Sequence, residues 1–286
     1  MSIAADHLSF AYMPGSPFAV TALDDVSLTA EDGEFIGIIG QTGCGKSTLI
    51  QQLSGLLKPD SGRVLLDGED INAPGYDRRQ LRRKVGVVFQ YPEYQLFEET
   101  VGKDVAFGPE KAGMTPVEVE RNVDNALRLV GFNPDDIRSA SPFELSGGQK
   151  RRVAIAGVLA TDPKILILDE PIAGLDPVSR ENFMELIRGL NEAGITVIMI
   201  SHNMDGLAEY ASRIIAIDKG QIVRDGTPTE VFSDIEGLEA MGLSSSEARR
   251  AGHMLTERGI YVPPEIITND QLIRYLAGKL GKETAC

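Results

Sequence analysis

The chain has 286 residues, 42% of them hydrophobic, and carries a formal net charge of −14. This length allows one large domain with an appendage, and the hydrophobic content supports a real core. The acidic balance argues against broad nucleic-acid binding, because that function needs a basic face opposite the phosphates.

Covalent and membrane signals are sparse. The only two cysteines are Cys44 and Cys286, so a disulfide framework is not expected and a reducing cytoplasm fits. The N-terminal MSIAADHLSF lacks the basic and apolar regions of a signal peptide. No strictly apolar run exceeds four residues, which predicts no bilayer-spanning segment and leaves any membrane role to a partner.

Short apolar, β-rich runs alternate with helical segments and predict an α/β fold. Such runs are typical of strands buried on both faces of a mostly parallel sheet. Outer antiparallel strands are predicted at 8–12, 26–28 and 63–67, and central strands at 34–39, 85–89, 165–168, 196–200 and 214–217. Residues 214–224 form a predicted hairpin that turns at Lys219-Gly220.

A helical block interrupts this pattern from about 92 to 160. Its clearest helix begins at Thr115, which matches a capping box with Glu118, and Gly131 is a plausible stop. The apolar face of this helix predicts core packing. That face consists of Val119, Val123, Ala126, Leu127 and Val130.

Residues 233–286 predict a small helical appendage. Ser244 and Glu247 match a capping box for a helix that Gly259 could end. Thr268 and Gln271 match another, for a last helix through residue 280.

A phosphate loop precedes the first predicted helix. Residues 40–48 read GQTGCGKST and fit G-x-x-x-x-G-K-S between a strand and a helix. Backbone N–H groups and the helix N-terminus suit a phosphate chain, Lys46 suits the β- and γ-phosphates, and the Ser47 hydroxyl suits Mg²⁺. A plain glycine-rich turn is disfavoured by the strand and helix on either side. The predicted ATP ligands here are Gly40, Gln41, Thr42, Gly43, Cys44, Gly45, Lys46, Ser47 and Thr48.

Two carboxylates end the strand in ILILDEP, residues 165–171. Asp169 is suited to hold Mg²⁺, directly or through water, and Glu170 can act as general base on the attacking water. Two acids after a strand could also form a solvated turn, but their pairing with the phosphate loop favours catalysis.

The segment ELSGGQKRRVAIA, residues 144–156, is a second helix start suited to anions. One nucleotide does not need two such starts in one chain. We therefore predict a dimer in which Ser146 and Gly148 of one subunit close over ATP held by the other; the competing interpretation is a flexible loop before a surface helix.

These motifs resemble those of the ATP-binding-cassette (ABC) ATPases, in which LSGGQ is the signature, and their order over residues 1–230 is similar throughout. The resemblance implies a P-loop NTPase (RecA-like) nucleotide-binding domain over 1–232 with antiparallel β and helical subdomains, plus a helical domain over 233–286. It implies that Gln90 senses Mg²⁺ and water, that His202 contacts the γ-phosphate, and that Tyr12 stacks on adenine. The residues that it implies act on the partner's nucleotide are Ser146, Gly147, Gly148, Gln149 and Asp176.

Two positions depart from the family pattern. Ile172 follows Pro171 where threonine or serine is common, and the loop from Ala173 to Asp176 does not start with serine. Neither change removes an assigned nucleotide ligand, so they concern the tuning of hydrolysis.

The segment after Gln90 is aromatic and acidic. In ABC importers this region forms part of the groove for coupling helices of the membrane subunit. Because aromatic rings can stack on a guanidinium group and carboxylates can pair with it, we infer a cytoplasmic coupling helix that carries arginine. The predicted partner groove comprises Tyr91, Glu93, Tyr94, Phe97, Glu98 and Glu99. A solvated helix start with buried aromatic residues is the alternative.

The segment FQYPEYQLFEETVGKDVAFGP is similar in sequence to the ATPase subunits of energy-coupling factor (ECF) transporters, and the GTPTEVF segment is similar to them as well. The resemblance covers nearly the whole chain and suggests the second ATPase type of a heterodimeric pair, with a homodimer as the alternative. It implies ATP and Mg²⁺ as cofactors, a peripheral place on the cytoplasmic face of the cell membrane, and an appendage that helps dimerisation.

The implied partners are a transmembrane T component, a second ATPase subunit and, indirectly, S components that select vitamins or metal ions. An ordinary binding-protein-dependent importer shares every catalytic motif and is the main alternative. A soluble ABC protein of DNA repair or translation is disfavoured by the single cassette and the acidic balance.

Overall fold

The computed structural model describes residues 2–283, with side chains through residue 279. The last three residues of the predicted appendage, 284–286, lie outside this range. The strands are β1 (Ile3–Tyr12), β2 (Val20–Ala30), β3 (Phe35–Ile39), β4 (Ser61–Leu66), β5 (Glu69–Asp70), β6 (Val85–Val88), β7 (Ile165–Asp169), β8 (Thr196–Ile200), β9 (Arg213–Asp218) and β10 (Gln221–Gly226).

The helices alternate with these strands and continue beyond them. They are α1 (Lys46–Leu53), α2 (Arg78–Lys84), α3 (Val101–Lys111), α4 (Pro116–Leu129), α5 (Pro134–Ile137), α6 (Gly147–Leu159), α7 (Pro177–Glu192), α8 (Met204–Tyr210), α9 (Pro228–Ser233), α10 (Ile235–Ala240), α11 (Glu247–Glu257) and α12 (Asn269–Glu283). Short 3₁₀ turns occupy Pro92–Gln95 and Pro142–Glu144.

Two sheets organise the described residues. The larger has six strands in the order β10-β9-β3-β8-β7-β6, and the smaller has four in the order β2-β1-β4-β5. Strands β9, β3, β8, β7 and β6 are parallel, whereas β10 and the smaller sheet pair antiparallel. The predicted α/β class, the parallel centre and the hairpin at Lys219-Gly220 are confirmed.

Side chains on successive residues of the central strands enter two different cores, as the strand period of two requires. Ile165 and Ile167 of β7 pack with α1 and the smaller sheet, whereas Leu166 and Leu168 pack with the helices on the opposite face. Because both faces are covered, these strands are apolar throughout, which explains why the sequence predicted them well.

The outer strands are longer than the sequence predicted. In β1 the inward positions change phase from Ile3 and Ala5 to Leu8, and a register shift lies between Ala5 and Leu8. His7 has φ 54° at this irregularity. An extra residue of this kind breaks the alternation that identifies a strand, so only the last part of β1 was recognisable.

Helix starts follow the predicted caps with one exception. The capping box of Thr115 and Glu118 is present, as is the pair of Thr268 and Gln271. The predicted cap at Ser244 is wrong: α11 begins after Ser246, whose hydroxyl accepts a hydrogen bond from the Arg249 N–H.

The reason lies in the tertiary contacts of that serine run. Ser245 Oγ donates to the Phe232 carbonyl (2.7 Å) and Ser246 Oγ donates to the Ile267 carbonyl (2.6 Å). These two bonds fix which serine stands at the helix start.

Among the described residues, no helix combines the length and apolarity needed to cross a bilayer.

Core packing of α4 allows a matched test. Val123→Ala should lower the free energy of unfolding by about 2 kcal/mol, because it deletes two fully buried methyl groups and leaves a cavity. Val117 lies on the same helix and is 80% exposed, so Val117→Ala should change stability by less than about 0.5 kcal/mol. Urea denaturation measures both, and equal effects would contradict the assigned face of α4.

Candidate functional site

The loop between β3 and α1 wraps around its own lysine. Lys46 is 7% exposed, and its Nζ donates to the carbonyls of Gly40 (2.6 Å) and Gln41 (2.8 Å). Gly45 precedes α1 with φ 112°, and no side chain caps this helix. The first N–H groups of α1 therefore remain available for an anion, next to a fixed ammonium group.

Glycine is required where this loop passes other backbone. A Cβ on Gly40 would lie 2.4 Å from the Ile217 carbonyl oxygen, and one on Gly45 would lie 2.3 Å from that of Ala22. Cys44 is buried below the loop with its Sγ 3.8 Å from Lys46 Nζ. The buried thiol therefore fills space beneath the loop.

Glu170 is held in an unusual conformation at the end of β7. Its φ is 47°, a region that non-glycine residues seldom occupy, and its N–H donates to the Ile200 carbonyl (3.0 Å). The bond to β8 turns the side chain toward the loop that follows β8. Strain of this kind is concentrated at functional sites.

His202 meets Glu170 across this strand end. Its Nε2 lies 3.3 Å from Glu170 Oε1, and its backbone N–H donates to Glu170 Oε2 (3.4 Å). Oε1 is otherwise buried without a hydrogen-bond partner. Burial raises the pKa of Glu170, and the nearby His202 partly opposes that rise. A raised pKa brings the pKa of this carboxylate closer to the value that suits a general base near neutral pH.

Asp169 lies beside the phosphate loop. Burial raises the pKa of Asp169, while a hydrogen bond with Ser47 and the charge of Lys46 oppose the rise. Ser47, Asp169 and Gln90 offer hydroxyl, carboxylate and amide oxygens around one cavity. Hard oxygen donors of this kind suit Mg²⁺, which takes one or two carboxylates and completes its shell with phosphates and water. The donor set therefore fits the predicted ion.

These groups surround one cavity of about 840 Å³. Such a volume is within the range of small-molecule sites. Of the predicted residues, it is lined by Tyr12, Thr42, Gly43, Gly45, Lys46, Ser47, Thr48, Gln90, Asp169, Glu170 and His202. Tyr12 is 42% exposed, and its hydroxyl lies 3.1 Å from Thr48 Oγ1, so its ring borders the cavity.

The signature residues lie elsewhere. Ser146 caps α6 in a reciprocal capping box with Gln149, and both line a separate groove of about 510 Å³ together with Gly148. Asp176 caps α7 by accepting a hydrogen bond from the Ser179 N–H (3.0 Å), and its bonds with Ser179 lower its pKa. One chain thus does not bring these residues to the cavity that holds Lys46.

The aromatic side chains of the segment after Gln90 are exposed. Tyr91, Tyr94 and Phe97 are 42%, 84% and 56% exposed, and the Phe97 ring stacks edge-on against Phe107 at 4.9 Å. Glu99 forms an ion pair with Lys103 (2.7 Å). An aromatic surface is therefore available here, as predicted.

The prediction that Glu93 is open to a partner is wrong. Glu93 Oε2 accepts a hydrogen bond from Arg151 Nε (3.0 Å), and the two side chains are only 19% and 5% exposed. Arg151 Nη1 also donates to the Ala173 carbonyl (2.9 Å). The carboxylate is used within the chain, and Arg151 connects three segments around the site.

Sequence reasoning missed one wall of the cavity. Residues of the appendage line it, together with side chains near the two loops that carry Glu170 and His202. The missed residues include Arg180, Ser201, Asn203, Asp205, Ser244, Ser245, Glu247 and Arg250. No local motif marks the appendage residues, because their position depends on the packing of distant helices.

Comparison with known proteins gives consistent results. A sequence model described as ABC transporter matches residues 23–173. The energy-coupling factor transporter ATP-binding protein EcfA2 of Symbiobacterium thermophilum is 51% identical over 98% of this chain and 97% of its own. The EcfA2 protein of Caldanaerobacter subterraneus is 48% identical over 97% and 99%.

Solved structures agree with these relatives. CbiO1 of Clostridium perfringens, described as part of the ABC transporter complex cbiONQ, has a TM-score of 0.73 and 37% identity, over 89% of this chain and 98% of that one. The ATP-binding cassette MJ0796, a dimer bound to ADP and phosphate after hydrolysis, has a TM-score of 0.70 and 30% identity, over 79% and 98%.

The buried pair of Arg151 and Glu93 can be tested by stability. Arg151→Ala should lower the free energy of unfolding by about 3 kcal/mol, because Glu93 then lacks its cation in a poorly solvated site. Lys150→Ala is the matched control, since the neighbouring Lys150 forms no ion pair in the described part of the chain. Urea denaturation measures both, and additive losses in the Arg151→Ala/Glu93→Ala double variant would contradict the pair.

Proposed function

We propose that this chain uses the residues around its cavity to bind and hydrolyse ATP and so to drive import. The chain belongs to the ABC transporter family, and within it to the ATP-binding proteins of energy-coupling factor transporters. Proteins of this family bind and hydrolyse ATP, and this chain is such a transport ATPase. The observation that carries the residue roles is the convergence of Lys46, Asp169, Glu170 and His202 on one cavity.

The phosphate loop binds the triphosphate. Lys46 and the free N–H groups of α1 hold the β- and γ-phosphates, and the exposed ring of Tyr12 stacks on adenine. Ser47, Asp169 and Gln90 would hold Mg²⁺, which neutralises charge on the phosphate oxygens when bound. The other loop residues from Gly40 to Thr48 shape the backbone cradle.

Glu170 and His202 carry the chemical step. Glu170 is placed to accept a proton from the water that attacks the γ-phosphate, and its raised pKa suits that task. His202 contacts the γ-phosphate and, through its backbone N–H, orients the Glu170 carboxylate. Phosphoryl transfer needs positioning and charge stabilisation more than covalent chemistry from the protein.

A second ATPase subunit completes each site. The helix start with Ser146, Gly147, Gly148 and Gln149, together with Asp176, closes over the nucleotide of the partner subunit. What supports this arrangement is that Ser146, Gly148 and Gln149 line a groove apart from the cavity of their own chain. The dimeric state of the MJ0796 cassette also supports it.

The aromatic and acidic surface after Gln90 couples hydrolysis to the membrane subunit. Tyr91, Tyr94 and Phe97 suit the face of a guanidinium group, and Glu98 and Glu99 suit its charge. We therefore assign this surface to an arginine-bearing coupling helix of a transmembrane T component, which moves S components that select vitamins or transition-metal ions. The cbiONQ complex of a solved relative supports a membrane partner.

This assignment gives the chain a peripheral place on the cytoplasmic face of the membrane. Residues 1–232 form the nucleotide-binding domain, with its helical subdomain at about 92–160, and residues 233–286 form the appendage that helps dimerisation. The first part of the appendage is continuous with the main core, since Leu238 and Leu243 are buried there.

Glu170→Gln should keep ATP binding and lose ATP turnover by about 100-fold or more, because the amide keeps the shape but cannot accept the proton. Calorimetry measures the ATP affinity and phosphate release measures turnover. Glu239→Gln on the exposed face of α10 is the matched control and should leave both unchanged. Unchanged turnover in Glu170→Gln would remove the assigned role of Glu170.

Purification of the tagged chain from detergent-solubilised membranes tests the transporter class. We expect a small T-type membrane protein, a second similar ATPase and one or more S components to copurify. A pair of conventional permease subunits without S components would instead assign the chain to an ordinary binding-protein-dependent importer. The identity of the S components would also indicate the cargo.

A further inference from the structure

The C-terminal appendage (residues 233–283) forms one wall of the nucleotide cavity. Its residues Ser244, Ser245, Glu247 and Arg250 line the same cavity as Lys46. A module that served only to join two subunits would not need to border this cavity. Its contacts with the catalytic loops therefore suggest an additional role.

One contact joins the appendage to the loop that carries His202. The backbone N–H of Glu247 donates to Asp205 Oδ1 at 2.7 Å. Glu247 is the first residue of α11, so its N–H has no partner within the helix, and a carboxylate is the most favourable acceptor at that end. Asp205 follows His202 by three residues and stands in the first turn of α8.

The donor is held firmly on the appendage side. Ser245 and Ser246, which precede Glu247, are buried, and their hydroxyl groups donate to the Phe232 and Ile267 carbonyls. Phe232 is itself fully buried in the main core. The start of α11 is thus fixed relative to the sheet, and Asp205 is bonded to a fixed point.

A second contact reaches the phosphate loop. Gly242 has φ +64°, and a Cβ there would lie 1.8 Å from Gln41 Nε2. The Gln41 side chain therefore lies directly against the appendage, while the backbone carbonyl of Gln41 accepts a hydrogen bond from Lys46. The appendage thus contacts both the phosphate loop and the first turn of the helix that follows His202.

We propose that Asp205 is a positioning residue that ties the His202 loop to the appendage through the Glu247 N–H, so that the appendage helps hold His202 against Glu170. This role rests on the proposed function, in which His202 and Glu170 carry the hydrolytic step. The loop has anchors at both ends: His202 contacts Glu170, and Asp205 contacts α11. Loss of the second anchor removes the direct hydrogen bond between this segment and the appendage.

Asp205→Ala in the copurified full complex should lower kcat about fivefold while the Kd for ATP changes less than about twofold, because the loop acts in hydrolysis rather than in nucleotide capture. Asp205→Asn should restore most of kcat, since its amide oxygen accepts the same hydrogen bond. Glu236→Ala is the matched control, because Glu236 is also a first-turn acid, on α10, away from the cavity. It should behave as the wild type.

Hydrogen exchange provides a readout that does not depend on activity. In Asp205→Ala the amide of Glu247 and a peptide over residues 200–210 should exchange faster, while Asp205→Asn should keep the wild-type rates.

Wild-type kcat in Asp205→Ala would overturn the proposal, as would an Asp205→Asn variant as slow as Asp205→Ala, which would assign the effect to charge. A parallel loss of ATP affinity and thermal stability would indicate a purely structural joint. A wild-type complex that binds but does not hydrolyse ATP would contradict the proposed function instead, and the exchange rates would still test the contact.

Discussion

The site depends on the parallel arrangement of β3, β6, β7 and β8. Parallel strands end at the same edge of a sheet, so the residues that follow them meet there whatever their separation in the chain. The phosphate loop follows β3, Gln90 lies beyond β6, Glu170 follows β7 and His202 lies beyond β8. The bond from the Glu170 N–H to the Ile200 carbonyl extends the β7–β8 pairing into the site and fixes the distance between the loops that carry Glu170 and His202.

Arg151 links this edge to the rest of the molecule. Its guanidinium group donates hydrogen bonds to Glu93, in the segment after Gln90, and to the Ala173 carbonyl, beyond Glu170. Arg151 itself belongs to α6, the helix that begins with the signature residues. A buried cation with defined partners resists separate movement of the segments that it joins, because each displacement would leave charge poorly solvated. The segment after Gln90, helix α6 and the loop after Glu170 are therefore mechanically connected within the chain.

The appendage extends the same principle to the other side of the cavity. Leu243 and Ile267 share the core of the helical face of the sheet, so the appendage is packed with the catalytic domain and is not an independent module. Because α11 begins at the cavity wall, the appendage lies close to the His202 loop.

The sequence alone determined the α/β class, the central strands, the phosphate loop and the carboxylates at the end of β7, because each is encoded by residues that are neighbours in the chain. It also predicted the caps of α4 and α12 from pairs of residues three positions apart. It could not determine the pair of Arg151 with Glu93 or the bond of Glu247 to Asp205, whose partners are 58 and 42 residues apart. The choice of Ser246 over Ser244 was also decided by distant carbonyls. These features depend on where the folded chain places charged and polar groups, and only the packing of the sheets and helices specifies that.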